Sequence, residues 1–235
     1  MDIRQLLEQH VDVDTEQKSW RGEFRPKGYI GKDDLPDGTE SGYYSVVRRK
    51  RNDPHVAQKR AKDPIKAHGD SYWKFISYVV EHKLWDNPYF PRIYKKKNIT
   101  DTRGRDIPSI EMENLVKFSS ISRSEAEAII RNIFGEDILD KIAPKRTPLG
   151  EIAENLALFI ESMAKGNWKY KWELSYHSIS LSRNYIKDDN LIDAIDTLTG
   201  ISRQIRGAMF DFNRDNIMVR RTSVGKQLVI TDPLH

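Results

Sequence analysis

The chain has 235 residues, no cysteine and a formal net charge of +4, with 31% of its residues charged. That length supports one two-lobed domain or two small ones with a buried core, and the missing cysteine excludes a disulfide framework, a thiolate metal site and a cysteine nucleophile. No apolar run reaches the roughly 18 residues a membrane span requires, and Met1-Asp2-Ile3-Arg4-Gln5 has no apolar signal core, so the sequence predicts a cytosolic protein with no membrane partner.

Residues 1–20 read as a short polar helix ending near His10, and residues 21–42, punctuated by Gly22, Pro26, Gly28, Gly31, Pro36, Gly38 and Gly42, as an irregular lead-in. Tyr43 to Arg48 has the β-branched and aromatic content of a strand, Asn52-Asp53-Pro54 that of a turn, and His55 to Arg60 that of a second strand closing a hairpin. Between Gly69 and Trp85, Tyr72, Phe75, Ile76, Val79, Val80 and Leu84 recur at helical spacing, and Asn87-Pro88-Tyr89-Phe90-Pro91 ends that helix. Arg92 to Lys95 and Ile107 to Val116 read as two further strands around a tip at Thr102-Arg103-Gly104-Arg105.

Beyond residue 116 the pattern turns helical. Ser122 with Glu125 makes a capping box ahead of Ile129, Ile130, Ile133 and Phe134, and Gly135 is placed to cap the end. Leu149 to Met163 repeats the apolar stripe. Trp168 to Tyr185 is rich in aromatic residues and ambiguous, although Trp168, Trp172 and Tyr176 fall at helical spacing and read as core. Asn190 is the expected cap of a long helix carrying Leu191, Ile195, Leu198, Ile201 and Ile205. The expected division is therefore a β-rich unit at 1–116 and a helical unit at 117–235, an α+β fold.

The chemistry concentrates in the last 25 residues. Phe210-Asp211-Phe212-Asn213-Arg214-Asp215-Asn216 is a mostly polar loop entering the apolar strand Ile217-Met218-Val219. A turn with Gly225 follows, and Leu228-Val229-Ile230 then leads to Asp232. Core elements pin both ends of the loop, so Asp211 and Asn216 sit on a rigid support with Asp232 returned beside them. Three hard oxygen donors without a cysteine or a histidine pair suit magnesium rather than zinc. His68, His82 and His177 lack metal-ligand spacing and read as structural or surface residues.

An Asp followed five residues later by an Asn, then two strands and a second Asp, is the order of a kinase catalytic loop and its metal-binding Asp. Phe210-Asp211, Asn216-Ile217-Met218 and Ile230-Thr231-Asp232-Pro233 resemble the corresponding stretches of the protein-kinase-like fold, and within it the small serine/threonine kinases of T7-type bacteriophages. The strong resemblance covers about a tenth of the chain, with weaker correspondences in the same order over most of the rest. It implies a two-lobed fold, a small antiparallel N-lobe and a minimal helical C-lobe.

The resemblance also assigns roles. Asp211 orients the attacking hydroxyl and accepts its proton, while Asn216 and Asp232 hold Mg²⁺. Val56-Ala57-Gln58-Lys59 resembles the strand whose lysine meets the nucleotide phosphates, with Gln58 as the alternative register at that point. Glu81 is the expected clamp for Lys59, and Asp70 the fallback. Gly42, Tyr43 and Ser45 stand where a glycine-rich phosphate loop belongs, and Ile110 to Leu115 resembles a strand and hinge that meets adenine near Glu113 and Leu115.

Three departures are plain. Phe210 precedes the loop Asp in place of His-Arg, Asp232-Pro233-Leu234 replaces Asp-Phe-Gly, and no activation segment follows His235. Peptide positioning is then expected from the helical insert at 118–189.

The implied function is an ATP- and Mg²⁺-dependent serine/threonine kinase acting on host proteins in the host cell cytoplasm during phage takeover. The alternative is a pseudokinase-like viral protein that inhibits a host factor by contact. The basic clusters Arg48-Arg49-Lys50-Arg51, Lys59-Arg60 with Lys62, and Lys95-Lys96-Lys97 read as solvated strand ends. A nucleic-acid partner is not expected, since no recognised module accompanies them.

Overall fold

The computed structural model describes residues 39–41, 45–50, 53–63, 67, 70–100, 104–165, 171–174, 177–180, 185–205, 208–223 and 225–234. The chain is α+β and divides into two units, one formed by Met1–Gly69 and Arg92–Asn114, the other by Asp70–Pro91 and Leu115–His235. The helix after the first hairpin groups with the second unit rather than with the strands that flank it in sequence. The expected helix within 1–20 and the lead-in up to Gly38 lie outside the described residues.

The first unit is one antiparallel sheet of five strands: β1 (Thr39–Ser41), β2 (Ser45–Lys50), β3 (Asp53–Ala61), β4 (Ile93–Thr100) and β5 (Asp106–Glu113), in the order β1-β2-β3-β5-β4. Asp53-Pro54 opens β3 rather than forming a turn before it. The expected strand from 107 to 116 stops at Glu113, where the Asn114 amide donates to the His55 carbonyl at 2.7 Å and its side chain to the Pro54 carbonyl at 2.8 Å.

Strand alternation sorts β3 onto two faces. Gln58 lies opposite Arg48 and Glu111, and a polar network joins them: Arg48 Nε donates to Gln58 at 3.2 Å, and Lys50 Nζ to Glu111 at 3.0 Å. Lys59 points to the other face, opposite Val47 and Ile110.

The second unit opens with α1 (Ser71–Glu81). Asp70 caps it by accepting from the Tyr72 amide at 2.8 Å, and Tyr72, Phe75, Ile76 and Val79 form its buried stripe. The helix stops at Glu81, and a separate 3-10 turn covers Leu84–Asp86. The strand β6 (Val116–Lys117) precedes α2 (Arg123–Phe134), α3 (Glu136–Ile142) and α4 (Leu149–Ala164). The Ser122 capping box forms in full: the Ser122 amide donates to Glu125 at 2.8 Å and the Glu125 amide to Ser122 Oγ at 3.3 Å. Gly135 does end α2, at φ 85°, and in doing so starts α3, a seven-residue helix too short to show periodicity. Phe134 and Phe159 meet edge to face at 5.0 Å in a core that α4 supplies with Ile152, Leu156, Phe159, Ile160 and Met163.

Within the ambiguous segment the described residues pair as antiparallel strands, β7 (Lys171–Leu174) and β8 (His177–Ser180), so the helical spacing misleads at Trp172, whereas Trp168 and Tyr176 lie outside the described residues. Asp188, not Asn190, caps α5 (Asp189–Gln204): one carboxylate oxygen accepts the Asn190 amide at 3.0 Å and the other the Tyr89 hydroxyl at 2.7 Å. Burial, followed by the Asp188 carboxylate, pushes the Tyr89 phenol far above its ordinary range. The hairpin β9 (Ile217–Thr222) and β10 (Gly225–Ile230) completes a three-stranded sheet, β10-β9-β6. Among the described residues no helix is long and apolar enough to cross a membrane.

Two outcomes follow from this packing. At φ 85° and ψ −179°, Gly135 occupies backbone space closed to other residues, and an added Cβ would meet Lys187 Cε at 2.5 Å. Gly135→Ala is expected to cost about 1–3 kcal/mol in denaturant unfolding, and a change below about 0.5 kcal/mol would refute the strain. Separately, the Lys226 ammonium, the Ser122 amide and the Ser122 hydroxyl hold the Glu125 carboxyl down to about 2 from an ordinary 4.5. The stabilisation from this lowered value is complete above about pH 4.5 and is lost as pH falls from there towards 2. An NMR titration should find the Glu125 midpoint near 2 and, in Lys226→Ala, closer to 4.5.

Candidate functional site

The 209–216 loop is held by backbone pairing at both of its ends. The β9–β10 register sets Ile217 opposite Ile230, and the ladder continues one step further: the Thr231 amide donates to the Asn216 carbonyl at 3.0 Å. At the far end the Asp211 amide donates to the Pro233 carbonyl at 3.0 Å, beside an antiparallel bridge between Phe210 and Leu234. Asp232 lies between these two tethers, so the backbone itself delivers it to the loop that carries Asp211 and Asn216.

Side chains complete the arrangement. Asn216 Nδ2 sits 2.6 Å from the Asp211 carbonyl and 3.4 Å from Asp211 Oδ2. Because an amide carries its donors on one side and its acceptor on the other, this turns Asn216 Oδ1 away from Asp211. Asn213 Nδ2 donates to Asp211 Oδ1 at 3.1 Å, Asn213 Oδ1 accepts the Asp215 amide at 2.9 Å, and the Asn216 amide donates to the Asn213 carbonyl at 3.0 Å. The Arg214 amide donates to Glu154 of α4 at 3.1 Å, and Lys117 pairs with the exposed Asp215 at 3.6 Å. The exposed ion pair is worth at most about 1 kcal/mol, so hydrogen bonds within the loop set its shape.

The hairpin under the loop is fixed by Arg220. Its buried guanidinium donates to the Pro88 carbonyl at 2.8 Å and the Phe90 carbonyl at 2.9 Å, while the Ile230 amide donates to the Tyr89 carbonyl at 2.8 Å. These contacts bind the turn after α1 to the strands that end in Asn216 and Asp232. At its other end α1 presents Tyr72, whose phenol is pushed well above its ordinary range by burial first and then by the Asp232 and Asp70 carboxylates.

Asp211, Asn216 and Asp232 are thus brought together. Glu81, the expected clamp for Lys59 of the other unit, is exposed on the last residue of α1, nine residues beyond Tyr72 and about 14 Å along the axis at 1.5 Å per residue. Asp70, at the near end of α1, is committed to capping. In the first unit Lys59 is buried and shares a face with Ala57, Ile110 and Met112, whereas Gln58 is engaged on the opposite face by Arg48 and Glu111. Ser45 begins β2, half-buried; Gly42 and Tyr43 lie outside the described residues. Glu113 Oε1 accepts the Arg92 amide at 2.9 Å, and Leu115 is buried at the start of the second unit.

No protein-family model, curated protein or solved structure matches this chain. The chemistry therefore rests on the donor set. Among the described residues no three His, Asp or Glu side chains group as a metal site. The amide oxygen of Asn216 and the carboxylates of Asp232 and Asp211 are hard donors of the kind magnesium takes when phosphates and water complete its shell, so these residues fit that ion. Sequence reasoning passed over Asn213 and Tyr72; the signal for the first was an Asn two residues past an Asp in a turn.

Replacing Arg220 by Met leaves the Pro88 and Phe90 carbonyls without their charged donor. Denaturant unfolding should show a loss of about 2–4 kcal/mol, and a loss below about 0.5 kcal/mol would mean the latch is dispensable.

Proposed function

We propose that this chain is an ATP- and Mg²⁺-dependent phosphotransferase with serine and threonine hydroxyls of proteins as its acceptors, in keeping with its resemblance to the kinases of T7-type phages. The observation that carries the reading is the Asn216 amide bound to the carbonyl and carboxylate of Asp211, with Asp232 tethered beside them. Asp211 orients the acceptor hydroxyl and receives its proton. Asn216 Oδ1 and the Asp232 carboxylate would hold Mg²⁺, which would neutralise charge on the transferring phosphoryl group. The resemblance further assigns phosphate contacts to Lys59 and to Gly42, Tyr43 and Ser45, and adenine to the backbone near Glu113 and Leu115. Phosphoryl transfer asks for positioning and charge stabilisation rather than covalent chemistry, which suits a loop held at every turn by hydrogen bonds. Host proteins in the host cytoplasm are the proposed substrates.

One observation favours a second reading, a pseudokinase-like protein that inhibits a host factor by contact. Glu81 is exposed at the end of α1, a poor position for a clamp on a phosphate-binding lysine. The two readings separate when the protein is incubated with γ-labelled ATP, Mg²⁺ and bacterial lysate. The wild-type chain should transfer label and Asp211→Ala should transfer at least about 100-fold less, the usual scale for a lost general base. Equal labelling by both, or none by either with inhibition of a host factor retained, would overturn the phosphotransferase in favour of the contact inhibitor.

A further inference from the structure

We infer that Asn213 is a positioning residue for this transfer: its side-chain amide fixes the rotamer of the Asp211 carboxylate, a role that rests on the phosphotransfer reading. The side chain faces two ways. Nδ2 donates to Asp211 Oδ1 at 3.1 Å, and Oδ1 accepts the Asp215 amide at 2.9 Å. The backbone of the same residue accepts the Asn216 amide at 3.0 Å. The two oxygens of Asp211 therefore meet two different amides, Oδ1 that of Asn213 and Oδ2 that of Asn216 at 3.4 Å.

The carboxylate has about four lone-pair sites, and two amide donors leave the remainder for an incoming hydroxyl. The Asn216 contact to Oδ2 is long, whereas its contact to the Asp211 carbonyl is short at 2.6 Å. Asn216 thus grips the backbone of Asp211, and Asn213 makes the shorter side-chain contact to the carboxylate. Without it, χ1 and χ2 of Asp211 lose their nearer restraint, and small misplacements of a reacting group cost large factors in rate.

Two substitutions separate positioning from turn formation. Asn213→Asp keeps an oxygen for the Asp215 amide, and so keeps the turn, but has no donor for Asp211 and sets a like charge beside it. Asn213→Ala removes both contacts. In the γ-labelled ATP assay both variants should lose about 10–100-fold in kcat while KM for ATP stays within about twofold and the melting temperature of Asn213→Asp stays near wild type. Wild-type kcat in Asn213→Asp overturns the inference, as does a loss of its melting transition or a rise in KM in place of the fall in kcat. If the wild-type chain transfers no label, the phosphotransfer reading falls instead, and the clamp is tested alone in the ¹⁵N spectrum. Asn213 side-chain amide signals that shift in Asp211→Ala support the contact, and signals that do not move overturn it.

Discussion

The arrangement of the candidate site depends on two backbone hydrogen bonds, from the Thr231 amide to the Asn216 carbonyl and from the Asp211 amide to the Pro233 carbonyl. Together they make the residues after β10 a partner of the loop before β9, and Asp232 has no route away from Asp211 and Asn216 while both hold. Hydrogen bonds of this kind contribute about 1 kcal/mol each. The backbone pairing matters more for placement than for energy, because the period of a strand is two: a shift of one residue in the β9–β10 register would turn Asn216 and Asp232 to the opposite face. The buried Ile217 and Val219 pair with Ile230 and Leu228, and a slip of either strand would break that matched apolar set.

Under the hairpin lies a second layer of constraint. Buried Arg220, the Tyr89 carbonyl on the Ile230 amide, and the Tyr89 hydroxyl on Asp188 join three segments far apart in sequence. Each buried polar group here has a partner, the condition under which such a network rigidifies rather than weakens a fold. Tyr72, at the start of α1, then places an aromatic ring and no mobile charge beside Asp232.

Much of this was legible in the sequence, for identifiable reasons. The helices α2, α4 and α5 announce themselves by long apolar stripes, and the Ser122–Glu125 box and Gly135 mark the ends of α2 through local hydrogen bonding that needs no tertiary context. The Asp211–Asn216–Asp232 grouping was readable because a short loop between apolar strands leaves few conformations. What was not readable depended on distant partners. Asp188 displaces Asn190 as a cap because Tyr89, about 100 residues earlier, occupies its second oxygen. Trp172 falls in a helical period of the sequence while its backbone pairs as a strand. Pairing across the sheet commits Gln58 to Arg48 and Glu111, a constraint that the sequence alone does not show.

The Arg220 latch joins residues separated by 132 and 130 positions. Closing a loop of that span costs roughly 2 kcal/mol more than closing one of ten residues. Contacts of such range form late, after local helices have condensed. The hairpin strand that follows Asn216 is therefore tied to a turn remote in sequence, while the loop's own hydrogen bonds stay local. Chemistry done by this loop then rests on a support that includes residues about 130 positions earlier in the chain.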